Sequence, residues 1–142
     1  LILTGLVIHT KKDMLRAVME GVTYALRDSV EICREMGINV ADMMACGGGG
    51  TSALWRQMLA DQYGCSVKTA SSKEGPALGV AILALVGAGV YSSVPEACEK
   101  IVKTDKVQEP ISENVEVYEK YFSLYDEIYP AVKTQFAKLS QL

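Results

Sequence analysis

The chain is organised around residues 43–55, which read Met-Met-Ala-Cys-Gly-Gly-Gly-Gly-Thr-Ser-Ala-Leu-Trp. The apolar residues 43–46 predict a short strand that is covered on both faces. Apolar side chains then recur at helical spacing, at Leu54, Trp55, Met58, Leu59 and Tyr63. Thr51 or Ser52 is the predicted N-cap of this helix, and Gly64 is its predicted left-handed C-terminal cap. The turn of four glycines leaves bare backbone amides beside a helix N-terminus, a setting that suits a nucleotide.

The glycine turn taken alone leaves two interpretations open. Its spacing differs from the dinucleotide fingerprint G-x-G-x-x-G, because the third glycine would fall at Ser52 or Ala53. It also lacks the Lys-Ser/Thr pair of a P-loop. The alternative to a nucleotide site is a tight strand-to-helix connection that needs a positive φ angle.

Composition narrows the class of protein. The 142 residues are 49% hydrophobic and 22% charged, which predicts one globular domain with a sizeable core. A net charge of −3 argues against nucleic acid as the main partner. Glycines interrupt the longest apolar stretch, residues 76–91, which is also short for a membrane span. We therefore expect a buried helix there and no membrane partner.

Cysteine usage points to a reducing compartment. The four cysteines have no Cys-x-x-Cys pair, and the single His9 lies far from them in sequence, so a zinc site is not expected. Together with the absence of a signal-peptide pattern, this predicts a cytoplasmic protein. The chain begins abruptly on the apolar run Leu1-Ile2-Leu3 without an initiator methionine, which we interpret as a start cut from a longer protein.

Periodicity and capping signals predict the remaining elements. These are an extended segment over residues 1–8, helices over 10–36, 76–86, 93–102 and 114–139, a strand over 65–70 and a polar surface loop over 103–110 that has room for a short extended piece. Pro130 predicts a kink or break in the last helix. Gly21 suggests close approach of another backbone to its helix, and Gly75, Gly79 and Gly87 suggest that the helix over 76–86 packs tightly against a neighbouring part of the protein. Arg27 and Glu31, four residues apart, are interpreted as a solvated ion pair.

The order of elements predicts an incomplete sheet. Alternating strands and helices imply parallel strands with helices packed over them. Two clear strands are too few for a free-standing sheet. We therefore expect either that upstream strands are missing or that the chain pairs with another chain, as in a homodimer.

Three stretches, in this order and spacing, resemble the FGGY carbohydrate kinases. Gly5-Leu6 with residues 16–28 (Arg-Ala-Val-Met-Glu-Gly-Val-Thr-Tyr-Ala-Leu-Arg-Asp) resembles the long helix of that family. Residues 46–61 (Cys-Gly-Gly-Gly-Gly-Thr-Ser-Ala-Leu-Trp-Arg-Gln-Met-Leu-Ala-Asp) resemble its adenosine-binding turn and following helix. Residues 74–84 (Glu-Gly-Pro-Ala-Leu-Gly-Val-Ala-Ile-Leu-Ala) resemble the next helix. Within the family, the sequences of residues 25–28 (Ala-Leu-Arg-Asp) and 54–57 (Leu-Trp-Arg-Gln) are most similar to those of members that phosphorylate D-xylulose.

The resemblance implies an α/β fold, a partial actin-like ATPase (ribonuclease H-like) domain that lacks its first strands. Residues 1–142 would form the C-terminal nucleotide-binding domain of a two-domain sugar kinase. The partners implied are ATP or ADP with Mg²⁺, and a sugar held mostly by the missing N-terminal half. Gly48, Gly49 and Gly50 would lie along the adenosine and α-phosphate, and Ala53 would face the nucleotide. The family often has alanine where Gly50 stands, and glycine there should not abolish binding.

Departures from the family pattern concern the catalytic centre. Phosphoryl transfer needs a base and ligands for phosphate and magnesium. The family keeps its catalytic aspartate and its Asp-x-Gly-Thr turn upstream, and no Asp-x-Gly occurs in this chain. We therefore assign no catalytic residue and no metal ligand here. Arg16 and Glu20 belong to the family motif but are interpreted as a structural helix pair. Another FGGY acceptor (gluconate, ribulose or glycerol), a non-catalytic nucleotide-binding module and a structural subunit remain alternatives.

Overall fold

The computed structural model describes residues 10–72 and 75–141, in which six helices and three strands alternate. In chain order the elements are α1 (Lys11–Glu35), β1 (Asp42–Met44), α2 (Gly47–Thr51), α3 (Ala53–Tyr63), β2 (Ser66–Ala70), α4 (Gly75–Gly87), α5 (Val94–Ile101), β3 (Thr104–Gln108) and α6 (Ser112–Leu139). The extended segment predicted over residues 1–8 lies outside the described residues, as do Gly5-Leu6 and Glu74 of the family motifs.

The described strands form one sheet in the order β1-β2-β3. β1 and β2 are parallel, as predicted, with Met43 opposite Val67. β3 runs antiparallel to β2, with Lys68 opposite Val107. The extended piece that the prediction allowed within the surface loop over residues 103–110 is therefore confirmed, whereas the loop itself is wrong for Thr104–Gln108. Its charged, exposed residues form an edge strand, whose pairing comes from a distant part of the chain.

The strand before the glycines differs from the prediction. β1 is three residues long, and its burial is partial at Met43, while Met44 is 41% exposed. A strand covered on both faces was expected, but β1 lies at an edge of the described sheet and the described residues leave Met44 exposed. β2 does show the predicted alternation, with Val67 and Thr69 buried.

Local capping explains where the helices begin and end. Thr10 and Asp13 form a reciprocal capping box at the start of α1, and Gly37 follows that helix with a φ of +80°. Ser52 caps α3 by accepting the backbone N–H of Trp55, and Gly64 ends α3 at a φ of +63°. These predicted caps are confirmed. Each satisfies backbone groups that a helix end leaves without partners.

The described residues form two core clusters, and each includes a residue of α1. The larger cluster packs α1 and α3 against the sheet, through Val30, Leu59, Ala60, Tyr63, Cys65 and Val67. The smaller is aromatic and joins the first helix to the last, through Tyr24, Tyr118, Phe122 and the partly buried Tyr125. Tyr24 and Tyr125 stack with ring centroids 5.3 Å apart. Two helices far apart in sequence are thereby fixed to each other.

The guanidinium of Arg27 packs against the aromatic cluster. Its guanidinium lies 4.0 Å from the centroid of the Phe122 ring and contacts Glu31 at 2.9 Å and Glu119 at 2.6 Å. The residue is only 5% exposed. The interpretation of Arg27 and Glu31 as a solvated pair is therefore wrong, because α6 covers the arginine and adds a second carboxylate.

α4 is less buried than its sequence predicted. Ile82 is its only buried residue, whereas Val80 is 68% exposed and Leu83 is 60% exposed. A Cβ built on Gly21, Gly79 or Gly87 would meet no atom of the described residues within 4 Å, so the expected close packing at these glycines is wrong for this part of the chain. None of the described helices is long and apolar enough to cross a membrane.

The last helix runs without interruption through Pro130. α6 is 28 residues long, and both of its buried residues, Tyr118 and Phe122, lie in its first half. A break at Pro130 is therefore wrong, and the kink that was predicted as the other outcome stays a prediction. The missing proline N–H removes one helical hydrogen bond, but the turns on either side keep theirs.

Candidate nucleotide-binding site

The four glycines begin directly after a short extended segment that follows β1. The Ala45 N–H donates to the Lys68 carbonyl at 2.8 Å, which continues the parallel pairing with β2. Cys46 is extended, and Gly47 then adopts a φ of +74°, the one glycine of the turn whose backbone needs a left-handed conformation. The chain closes into the single helical turn α2 and leaves it at Ser52, whose φ of −78° and ψ of 121° are extended. The turn is thus a short helix, more ordered than an open loop.

The predicted nucleotide-binding residues do not all face the same way. Gly48, Gly49 and Ala53 are exposed, and Gly50 is buried. A Cβ on Gly48 would point into space free of described atoms within 4 Å, while one on Gly49 would lie 3.2 Å from Nε1 of Trp55. Three of the four residues are therefore accessible to a ligand. Gly50 is held against the strand that precedes the turn.

Gly50 has a packing reason to be glycine. A Cβ at this position would lie 2.9 Å from the Ala45 carbonyl oxygen, closer than real Cβ atoms approach backbone. The resemblance implied that alanine is common at this position. In this chain an alanine would force the turn away from Ala45. Gly50 thus brings the turn close to the end of β1.

The start of α4 also lies at the glycine turn. A Cβ on Gly75 would sit 3.5 Å from Sγ of Cys46, an ordinary van der Waals contact. The segment that resembles the third family motif therefore meets the one that resembles the second. Residues from two separate stretches of sequence border the same surface.

Arg56 is a residue of the site that sequence reasoning missed. Its Nη1 donates to the Gly50 carbonyl at 2.6 Å, and the residue is 5% exposed. The sequence held one signal, because Arg56 lies on the same side of α3 as the apolar Leu59, Ala60 and Tyr63, where a surface arginine is not expected.

Arg16 and Glu20 form part of a second polar cluster, between α1 and α6. Arg16 contacts Glu20 at 2.8 Å and donates to the Tyr118 hydroxyl at 2.7 Å, and that hydroxyl donates to Glu20 at 2.7 Å. Hydrogen bonds to Glu20 and Tyr118 raise the pKa of Arg16. The three groups satisfy one another at the rim of a cleft of about 330 Å³. Such mutual bonding fits the structural role expected for the pair.

No metal centre is formed by the residues that the structure describes. Among residues 10–72 and 75–141, no three His, Cys, Asp or Glu side chains are arranged to hold a metal ion. The described residues therefore offer exposed backbone and a helix start to a nucleotide, but no set of ligands for Mg²⁺.

Comparison with known proteins agrees with this geometry. Residues 2–88 match the C-terminal domain of the FGGY family of carbohydrate kinases. Xylulose kinase of Staphylococcus epidermidis is 41% identical over 131 residues, covering 92% of this chain and 26% of that protein. Xylulose kinase of Bacillus subtilis is 38% identical over 125 residues, covering 88% of this chain and 25% of that protein.

A solved structure shows the same fold. The gluconate kinase of Lactobacillus acidophilus superposes with a TM-score of 0.86 at 27% identity, over 96% of this chain and 28% of that one. The predicted fold class, part of an α/β actin-like ATPase domain, is confirmed. The chain spans about a quarter of the length of the curated relatives it matches. By sequence and by fold, the chain belongs to the FGGY family of carbohydrate kinases and corresponds to its C-terminal domain.

Proposed function

We propose that the chain is the ATP-binding half of a sugar kinase that transfers the γ-phosphoryl group of ATP to a hydroxyl of D-xylulose. The observation that carries the proposal is the accessible glycine turn in a chain whose most similar relatives include xylulose kinases. The product would be D-xylulose 5-phosphate. A gluconate acceptor is the second candidate, because a gluconate kinase has this fold with a TM-score of 0.86.

In this proposal, backbone carries most of the nucleotide contact. The exposed peptide units of Gly48 and Gly49 lie along the adenosine and α-phosphate, and Ala53 faces the nucleotide at the start of α3. Small residues at these positions let the ligand approach the main chain closely. The N-terminus of α3 adds a favourable potential for an anionic group.

The chemical step belongs to other parts of the whole protein. In-line transfer requires a base that orients the sugar hydroxyl, together with ligands for Mg²⁺ and the transferred phosphoryl group. The described residues include no group of three His, Cys, Asp or Glu side chains that could hold Mg²⁺. Mg²⁺ would neutralise charge on the phosphates of ATP, and this chain would position the nucleotide in line with a sugar bound by the other half.

The proposal is tested by a phosphorylation assay on the complete product of the reading frame that encodes the chain. D-xylulose, L-ribulose, gluconate and glycerol compete as acceptors with Mg-ATP. Preference for D-xylulose supports the proposal, and preference for another acceptor keeps the kinase while discarding the acceptor. Transfer to none of them would favour a non-catalytic nucleotide-binding module.

A matched pair of variants tests the role of the turn. Gly48→Val places a side chain on the exposed turn, where no described atom obstructs it. We expect the KM for ATP to rise about tenfold or more, because the nucleotide can no longer approach the backbone. Gly87→Val is the control, since its Cβ also points into open space and it lies about 18 Å along α4 from Gly75. An unchanged KM for ATP in Gly48→Val would contradict the assignment.

The cytoplasmic location, the homodimer and the absence of nucleic-acid and membrane partners stay predictions. They rest on cysteine usage, on the small sheet and on the net charge of −3. Sedimentation of the complete protein would test the dimer.

A further inference from the structure

Arg56 combines deep burial with incomplete pairing. The residue is 5% exposed, its Nη1 donates to the Gly50 carbonyl at 2.6 Å, and its Nε has no hydrogen-bond partner among the described residues. None of the ion pairs between described residues includes it. A buried guanidinium that lacks a carboxylate is costly to a fold. Shorter apolar side chains would fill such a position at lower cost.

The bond from Arg56 meets the glycine turn at its most constrained residue. Gly50 already lies so close to Ala45 that a Cβ would come within 2.9 Å of the Ala45 carbonyl oxygen. The Ser52 N–H donates to the Gly49 carbonyl at 3.1 Å, and the Arg56 N–H donates to the Ser52 carbonyl at 3.1 Å. The turn is therefore held at the start of α3 by backbone bonds and beneath Gly50 by one charged side chain.

We propose that Arg56 is a positioning residue for the nucleotide. By holding the Gly50 carbonyl, its guanidinium fixes the orientation of the neighbouring exposed peptide units of Gly48 and Gly49. Because no carboxylate of residues 10–72 or 75–141 pairs with it, the guanidinium also gives the turn a positive charge that favours an anionic ligand. The proposal rests on the proposed function, because it assumes that ATP lies on this turn.

The test compares Arg56→Lys and Arg56→Met in the complete protein. Lysine keeps the charge but has no planar fork, and methionine removes both the charge and the donor. We expect the KM for ATP and the Kd measured by titration with ATP alone to rise about tenfold in Arg56→Met. Arg56→Lys should recover part of that loss. The KM for the sugar acceptor should change less than about twofold in both variants.

Arg34→Met is the matched control. Arg34 also donates from a guanidinium nitrogen to a backbone carbonyl, that of Tyr63, but it belongs to α1 and does not contact the glycine turn. A general loss of stability would lower the active fraction and the melting temperature in both proteins. A selective loss of ATP affinity is expected only in the Arg56 variants.

Each outcome bears on the proposal. Unchanged affinity for ATP in Arg56→Lys and Arg56→Met, or an equal loss in Arg34→Met, would overturn the positioning role. Should Arg56→Met fail to fold, the partial loss of ATP affinity expected in the folded Arg56→Lys variant decides the question alone. Absence of ATP binding in the wild-type protein would instead refute the proposed function. The two failures are distinguishable, because the positioning role is tested only by comparing variants with a wild type that binds ATP.

Discussion

The carboxylate of Asp61, in the middle of the chain, caps the N-terminus of α6 by accepting the backbone N–H of Ile111 at 2.8 Å. Ile111 occupies the N-cap position, and its apolar side chain accepts no backbone N–H of the first turn. Asp61 also accepts from Asn114 at 2.7 Å and from Gln57 at 2.7 Å, and the residue is 2% exposed. A side chain of α3 thus satisfies the start of a helix fifty residues away.

Replacing Asp61 should therefore loosen α6. In Asp61→Asn an amide group would face donors that now point at a carboxylate oxygen, and we expect a loss of about 2–4 kcal/mol in the free energy of unfolding. Thermal unfolding of the complete protein and hydrogen exchange at the Ile111 amide provide the measurements. Glu113→Gln, in the exposed first turn of α6, is the control and should cost under about 1 kcal/mol. Equal effects in the two variants would argue against a specific cap.

Even a conservative replacement of Arg27 should lower the stability of the fold. Lysine cannot stack a planar group on Phe122 while it contacts both Glu31 and Glu119, so Arg27→Lys is expected to lower the free energy of unfolding by about 2 kcal/mol or more. Glu119 is 59% exposed, and Glu119→Gln should cost about 1 kcal/mol or less. Denaturant unfolding of both variants measures the two losses and shows which is larger. A smaller loss in Arg27→Lys than in Glu119→Gln would contradict the cation–π arrangement.

Alkaline pH should destabilise the fold through Tyr63. Burial raises the pKa of its phenol to about 12, from an ordinary value of 10.0. The unfolded chain therefore releases this proton first as pH rises, so the stability contributed is complete below pH 10 and is lost between about pH 10 and 12. Tyr63→Phe removes this part of the pH dependence.

The same variant should behave almost like wild type at neutral pH. The Tyr63 hydroxyl donates only one long bond, 3.4 Å to the Thr23 carbonyl, so its loss should cost under about 1 kcal/mol at pH 8. The measurement is the melting temperature at pH 8 and at pH 11. If the melting temperatures of wild type and Tyr63→Phe fall by the same amount between pH 8 and pH 11, Tyr63 is not responsible for the loss of stability at alkaline pH.

Two alanine substitutions in the glycine turn should have different effects on stability. Gly50→Ala places a methyl group against the Ala45 carbonyl and should cost about 1–3 kcal/mol. Gly48→Ala meets open space and should be neutral or slightly stabilising, because it lowers the entropy of the unfolded chain. Melting temperatures of the two proteins give the comparison. A stable Gly50→Ala protein would show that the turn shifts away from β1 at little cost.

The purified 142-residue chain should show no sugar-dependent turnover of ATP. Its described residues assemble no metal ligands, and the sequence contains no Asp-x-Gly motif. A coupled assay for ADP, with the complete protein as the positive control, provides the test. Turnover by the chain alone at a rate near that of the complete protein would place the catalytic groups within it.

Sequence reasoning succeeded where the determinants are local. Thr10 with Asp13, Ser52 and Gly64 act within one helical turn, so their roles can be predicted from neighbouring residues. The position of the glycine turn was likewise predicted correctly, because four consecutive glycines are unfavourable in the interior of a long helix or strand. Its helical conformation and the inward-facing Gly50 were missed, since both depend on the end of β1 packing against the turn.

Sequence reasoning failed where partners are distant. Within α1 alone, Arg27 has the sequence context of a surface residue. It is buried by α6, whose Glu119 lies 92 residues later in the chain. β3 is charged and exposed, so hydrophobic alternation could not identify it, and its pairing with β2 comes from elsewhere in the chain. Arg56 was missed for a different reason. Its partner lies only six residues away, but it is the backbone carbonyl of Gly50 and gives no side-chain signal in the sequence.

The contact between α1 and α6 has a consequence for the order in which the chain folds. Arg27 and Glu119 close a loop of 92 residues, whereas the capping bonds of α1 and α3 span three residues each. Loop closure costs more conformational entropy as the loop lengthens, and contacts of high sequence separation slow folding. The aromatic cluster is therefore expected to form late, after α3 and the sheet have brought the two helices into reach. Until that moment the Arg27 guanidinium remains hydrated, so its desolvation coincides with the final docking of α6.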